Sequence, residues 1–271
     1  VEKKAMLPDV QDEVDVRGIA LDEVGISGLR YPTEFTDGTT RQAGIGSFDV
    51  LVTLPSDRRG THMSRMVQLV QEQLAVIDPR ELPLVMKHVA ARMDIDRALV
   101  RVALPVATTV VSPVSDLKAL QTSDLHLSAT IDTGSFRLTT SITAQVTSLC
   151  PCSKTISDYG AHNQRSDVKV SVSGTDSDPY PINIKDLVDL IRASGSCPVY
   201  PVVKRPDERA ITMIAYDNPA FVEDMARDIS LELRGRNVGH SVQIRNLESI
   251  HSHDAVASVS WAPPPASTVQ T

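Results

Sequence analysis

The stretch LHLSATIDTGSFRLTTSITAQVTSLC, residues 125–150, decides how this chain is built. It reads as two long strands joined by the turn-forming residues near Asp132 to Ser135, a hairpin whose second arm runs straight into Cys150. Working outward, ALVRVALPVATTVV (98–111) has strand composition, rich in β-branched residues. Downstream, SDVKVSVSGT (166–175) alternates as a strand does, and NIKDLVDLIRA (183–193) and NPAFVEDMARDISLELRG (218–235) have helical periodicity. HSVQIRNLES (240–249) and DAVASVSWA (254–262) return to strand. The order is strands, helices, strands, and strands flanking helices in both halves allow a duplicated unit.

The N-terminal half is less regular. SGLRYPTEFTDGTT (27–40) carries loop punctuation ahead of the alternating GIGSFDVLVTL (44–54), so the beginning of the chain reads as an arm leading into a strand. GTHMSRMVQLVQEQLAV (60–76) places Met63, Met66, Val67, Val70 and Leu74 on one helical stripe, with Thr61 as the expected N-cap. The C-terminal APPPASTVQT is rich in Pro and Ser and is expected to be disordered.

With 271 residues, 41% hydrophobic and 23% charged, the chain can bury a full core. No apolar run is long enough to span a bilayer, and VEKKAMLPDVQDEVDVRG at the start is too charged for a signal peptide, so a cytoplasmic location is expected. A net charge of -7 argues against bulk nucleic-acid binding, which relies on Lys and Arg to neutralise phosphates. A small phosphorylated ligand held by a few local cations stays open. The three cysteines, at 150, 152 and 197, do not make a disulfide framework.

Two of those cysteines lie in SLCPCSKTISDYGAHNQRS (148–166) with a histidine, a lysine and an arginine. On an extended chain Cys150 and Cys152 share one face, and His162 follows after a short loop. Thiolate and imidazole are ligands of zinc and related metals, and an incomplete set leaves a position open for water. Buried small hydrophobes and a surface histidine are the plain alternative. Further along, VVKRPDERA (202–210) holds Lys204, Arg205, Asp207, Glu208 and Arg209, a charge run that ordinarily marks a solvated face. FVEDMARD (221–228) holds Glu223 on a predicted amphipathic helix. ESIHSHDA (248–255) holds Glu248, His251 and His253, with the two histidines on one face of an extended segment.

The strings LPDVQ, GTHMSRM, SLCPCSKTISDYGAHNQRS, VVKRPDE, AYDNPAFVEDMARD and ESIHSHDA resemble, in this order and over almost the whole chain, GTP cyclohydrolase type IB. The resemblance implies an α+β tunnelling fold (T-fold) of tandem modules, each an antiparallel sheet with helices on one side, assembling into barrels across subunits. It divides the chain into an arm at 1–45, modules at 46–135 and 136–262 with the metal site in the second, and a tail at 263–271. It implies a homotetramer with active sites at subunit interfaces. The implied reaction converts GTP to 7,8-dihydroneopterin triphosphate and formate at the head of folate biosynthesis.

Carried over residue by residue, the resemblance puts Cys150, His162 and Glu208 around a divalent metal, manganese, iron or zinc. It puts Glu223 on the guanine edge and His253 in proton transfer. Cys152, His251 and Cys197 stand as possible supporting groups behind the ligands. Lys154, Arg165, Lys204 and Arg205 are candidates for the triphosphate, and His62 for a contact from the other module. Met213 stands where the family usually has a glutamate, and RASGSCPVYP lacks an acidic residue often found ahead of its cysteine. Two rivals remain. One is an archaeal-type relative that releases a cyclic phosphate; the other is a non-catalytic metal- or purine-binding protein.

Overall fold

The hairpin at 125–150 forms as β5 (Lys118–Asp132) and β6 (Ser135–Leu149). Asp132 pairs with Ser135, and the two residues between them, Thr133 and Gly134, both take positive φ, the geometry that joins right-twisted strands in two residues. The structure is a computed structural model that describes residues 10–264. Around this hairpin the remaining strands are β1 (Leu21–Thr36), β2 (Arg41–Leu54), β3 (Val76–Ile77), β4 (Arg97–Val111), β7 (Asn163–Thr175), β8 (Cys197–Pro198), β9 (His240–Asn246) and β10 (Ala255–Trp261). The helices are α1 (Met63–Gln73), α2 (Leu82–Met93), α3 (Pro151–Ile156), α4 (Ile184–Ser194), α5 (Arg205–Asp217) and α6 (Val222–Gly235).

All strands belong to one sheet in the order β10-β9-β7-β6-β5-β4-β2-β1-β3, with β8 alongside β6. Every pairing is antiparallel except β1 with β3. The fold class is therefore α+β. Its two halves follow one plan of hairpin, helix, two-residue strand, helix and hairpin. Helices α1, α2, α4 and α6 cover one face. Alternation makes this possible: along β6, β7 and β9 the even-numbered residues are buried, from Leu138 to Ser148, Gln164 to Val172 and His240 to Asn246, with Ser141 the one odd-numbered residue buried among them. A single apolar cluster runs under both helix pairs, from Phe35, Phe48 and Met66 through Leu138 to Leu187, Ile229 and Leu233. Each such side chain contributes roughly 1.5–3 kcal/mol.

Three local expectations change. Leu21–Thr36, inside the expected arm, is β1. Its glycines mark close approach and irregular pairing, not a loop. A Cβ on Gly25 would stand 2.0 Å from the Val50 carbonyl oxygen, and Gly28 has φ +70 where the register with β2 shifts. Residues ahead of β1 also pair, with Asp15 N–H donating to Asp57 and Arg59 N–H to Glu13. On α1 the N-cap is His62, not Thr61, and the buried stripe is Met66, Leu69 and Val70, with Met63 exposed. The expected disordered tail falls almost wholly outside the described residues.

Asp37, in the β1–β2 turn, ties the two halves together. Its buried carboxylate accepts from Thr39 N and Oγ1, Thr40 N, Tyr180 Oη and the Ile184 N–H at the start of α4. Burial pushes this carboxyl up, but the five donors outweigh burial and hold it below the usual range.

Candidate active site

Cys150 and His162 are twelve positions apart in sequence but adjacent in space. The β6–β7 register ends at Leu149 opposite Asn163, and the next step of the ladder is the Cys150 N–H donating to the His162 carbonyl at 3.1 Å. The residues between them close a compact loop. Pro151 starts α3, the Cys150 sulfur accepts from Ser153 N–H, and Ser153 Oγ accepts from His162 N–H.

Even numbering places Cys150, Ser148, His162, Gln164 and Asn246 on the helix-facing side of the sheet, beyond the last residues the helices cover. There they line a cavity of about 260 Å³ with Phe221, Glu223, Glu248, His251 and His253. His162 and Glu248 are enclosed, their side chains 13% and 10% exposed, with Nδ1 and a carboxylate oxygen 3.8 Å apart. His251 and His253 stack at 5.2 Å between centroids, which keeps both imidazoles at one rim.

Beneath the cavity runs a buried polar chain. Ser166 Oγ donates to Asn246 Oδ1 at 2.6 Å, Asn246 Nδ2 to Ser148 Oγ at 3.0 Å, and Ser148 Oγ to the Ala220 carbonyl at 2.8 Å. The Ala220 N–H returns to the Leu149 carbonyl. Both backbone groups of Ala220 are thus pinned to β6 one residue before Phe221, the N-cap of α6. Asp224 accepts from the Phe221 N–H, and Met225, Ile229 and Leu233 bury the helix's inner face, so Glu223 is held at the cavity wall.

A family model described as type I GTP cyclohydrolase FolE2 matches residues 7–257. The chain belongs to that family. A GTP cyclohydrolase FolE2 of Magnetococcus marinus is 40% identical over 93% of this chain and 95% of its own length. One from Methylobacillus flagellatus is 38% identical over 93% and 95%. Among solved structures, uricase from Arthrobacter globiformis shares the fold at 8% identity, with a TM-score of 0.50 over 92% of this chain and 96% of that one.

Of the residues that the GTP cyclohydrolase motifs single out, Cys150, His162, Glu223, His251 and His253 line the cavity. Glu208 does not. It is exposed on α5, beside Asp207, which is fully buried. Burial pushes the Asp207 carboxyl up, and hydrogen bonds from Ser115, Lys204 and Val114 overcome this and hold it well below the usual range. Among the described residues no three His, Cys, Asp or Glu side chains form a closed metal cluster. Cys152 is exposed on α3: Pro151 starts a helix there, so the two cysteines do not share a strand face. Cys197 is buried between Leu149 and Ala215, away from the cavity lining, and burial pushes its thiol up.

The cations lie elsewhere too. Lys154 donates to the Tyr216 carbonyl at 2.5 Å and sits over the Tyr216 ring, clipping α3 to α5. Arg165 is odd-numbered and so exposed on the opposite face of β7, while Lys204 and Arg205 are exposed at the start of α5. His62 is in the first half, outside the lining. Gln164, Asn246 and Ser148 were not singled out from the sequence, and Glu248 was noted there without a role. Period two counted from Cys150 and His162 finds Ser148 and Gln164, while Asn246 and Glu248 are placed only by the pairing of β9 with β7.

Proposed function

We propose that this protein is a GTP cyclohydrolase I that hydrolyses GTP to 7,8-dihydroneopterin triphosphate and formate in the cytoplasm, the first step of folate biosynthesis. The observation that carries the reading is one cavity in which Cys150 and His162 face Glu223, Glu248, His251 and His253, in a chain matched to the family over residues 7–257. A thiol and an imidazole on neighbouring strand ends are a donor pair that suits manganese, iron or zinc. Cys150 and His162 would hold the metal, with Glu208 as the carboxylate expected from the motif and Glu248 already beside His162. A divalent metal bound there supplies Lewis acidity and makes hydroxide available near neutral pH.

Glu223 binds the substrate. A carboxylate accepts from both the ring N–H and the exocyclic amine of guanine, a paired geometry that orients the purine in the cavity. Water added to C8 would open the imidazole ring of the purine to an N-formyl group, a second water would release C8 as formate, and the ribose carbons would then rearrange and close into the pterin ring with loss of one water. His253, stacked on His251, holds and returns the proton during ring opening. Lys154, Arg165, Lys204 and Arg205 are the cations proposed for the triphosphate; Lys204 and Arg205, at the start of α5, would reach it from a second copy, in keeping with interface active sites.

The reading includes the tunnelling fold and a homotetramer with interface active sites. The open edge of β10, and that of β1 beyond its two-residue pairing with β3, support it, since Val256 and Leu21 are exposed there. Barrel closure across subunits covers such edges.

The test is anaerobic incubation of metal-stripped protein with GTP, adding back manganese, iron or zinc separately, with formate and pterin fluorescence after oxidation as readouts. Metal-dependent formate and pterin in equal amounts are expected. A cyclic phosphate on the product would assign the archaeal-type reaction instead. No formate with any metal from folded protein would leave a binding protein.

A further inference from the structure

We infer that Gln164 is a positioning residue that fixes the neutral His162 imidazole as its Nδ1–H tautomer and so presents Nε2, with its lone pair, as the donor atom. The inference deepens the proposed function and rests on it for its purpose. Gln164 is only 7% exposed. Its Oε1 lies 2.8 Å from His162 Nδ1, and its Nε2 lies 3.4 Å from Glu248 Oε1.

The direction of this chain follows from donor and acceptor identity. A glutamine amide has one end that accepts and one that donates, and a carboxylate only accepts. The end facing Glu248 is therefore the NH2, because the reversed amide would set oxygen against oxygen. The amide oxygen then faces His162, and Nδ1 must carry the hydrogen. Glu248 Oε2, 3.8 Å from the same Nδ1, is another acceptor on that side. Two residues from two segments, Gln164 in β7 and Glu248 beyond β9, thus settle which imidazole nitrogen is free. A lone pair on Nε2 is what a divalent cation requires, and a hydrogen bond on the other ring nitrogen holds the ring's orientation.

Two substitutions separate the halves of the chain. Gln164→Leu removes both contacts. Gln164→Glu keeps an acceptor toward Nδ1 but loses the donor toward Glu248. The first readout is the tautomer of His162 in metal-free protein without GTP, from long-range 1H–15N correlation of the imidazoles, assigned by the signal missing in His162→Ala. The second is affinity for zinc, by competition with a chelator. The wild type is expected to show Nδ1–H. Gln164→Leu should shift toward Nε2–H and bind zinc ten- to a hundred-fold more weakly, as loss of an outer hydrogen-bond partner of a ligand commonly does. Gln164→Glu should keep Nδ1–H and near-wild-type zinc affinity.

An Nε2–H wild type overturns the inference, as does a Gln164→Leu protein with unchanged tautomer and affinity, or loss of the tautomer in Gln164→Glu. If Gln164→Leu does not fold, the wild type and Gln164→Glu decide alone by the same tautomer readout. The outcomes are distinct from those of the proposed function: an Nδ1–H wild type that binds no metal and releases no formate sinks the function and leaves the hydrogen-bond chain standing.

Discussion

The two halves of the sheet share a plan and differ at one end of it. In the first half the opening hairpin turns tightly through Asp37 and Thr40, and the turn is closed: both carboxylate oxygens of Asp37 accept from donors, one of them at the start of α4. In the second half the corresponding hairpin opens into the Cys150–His162 loop with α3, and α5 is inserted between β8 and α6. Among the described residues, a small apolar cluster of Leu149, Cys197 and Ala215 joins that insertion to the rest. The shared scaffold supplies rigidity and the departures from it supply chemistry. A turn whose polar groups are satisfied internally holds structure together, and a turn that leaves a thiol and an imidazole facing a cavity can bind.

This contrast is open to breakage at several points. The largest effect is expected for Cys150→Ala, which should abolish formate release and lower bound metal; full activity would remove Cys150 from the donor set. Next, Glu223→Gln should raise KM for GTP by about 10- to 100-fold, the range for a charged hydrogen-bonding partner, while metal content stays near wild type. Loss of metal would make Glu223 a ligand instead. Glu208→Gln and Glu248→Gln, compared side by side for metal content, sharpen the division between inserted helix and strand end: the variant that loses metal identifies the carboxylate ligand.

In the first half, Asp37→Asn should leave turnover intact and cost about 1–3 kcal/mol of stability, from buried donors left unpaired. The pH dependence has a definite sign. The folded-state pKa of Asp37 is lowered, so its stabilisation is full above the unfolded value of about 3.9 and is lost as pH falls through the folded value. The gap in urea midpoint between wild type and Asp37→Asn should therefore narrow below about pH 4. A gap that stays constant with pH would mean that the carboxylate charge does not matter. The smallest effect is expected for Cys152→Ser, exposed on α3: stability within about 0.5 kcal/mol and unchanged metal content. A loss of metal there would place Cys152 back among the ligands.

Much of this was legible in the chain. Alternation located β5, β6, β7, β9 and β10, and helical periodicity located α4 and α6, because each element buries one face. The motif residues Cys150, His162, Glu223 and His253 were legible by family pattern, and the cavity gathers them. Other features were not. Gly28 read as a loop signal and Gly25 lay in the expected arm, because one sequence shows neither a positive-φ glycine at a register shift nor a neighbouring strand within reach of a missing Cβ. Asp207 and Glu208 are neighbours in one charge run, yet one is fully buried and the other exposed, a distinction made by the Ser115 segment nearly a hundred positions away.

Taken by itself, the sequence determined the local terms: which segments extend or coil, which residues can donate to a metal, and which family this is. Periodicity and side-chain chemistry are properties of neighbours along the chain. Tertiary structure decided the partners. The register of β6, β7 and β9 set Gln164 between His162 and Glu248 and laid Ser166, Asn246 and Ser148 under the cavity. Register depends on long-range strand pairing and on which face is buried, and a shift of one residue would turn these side chains to the opposite side of the sheet.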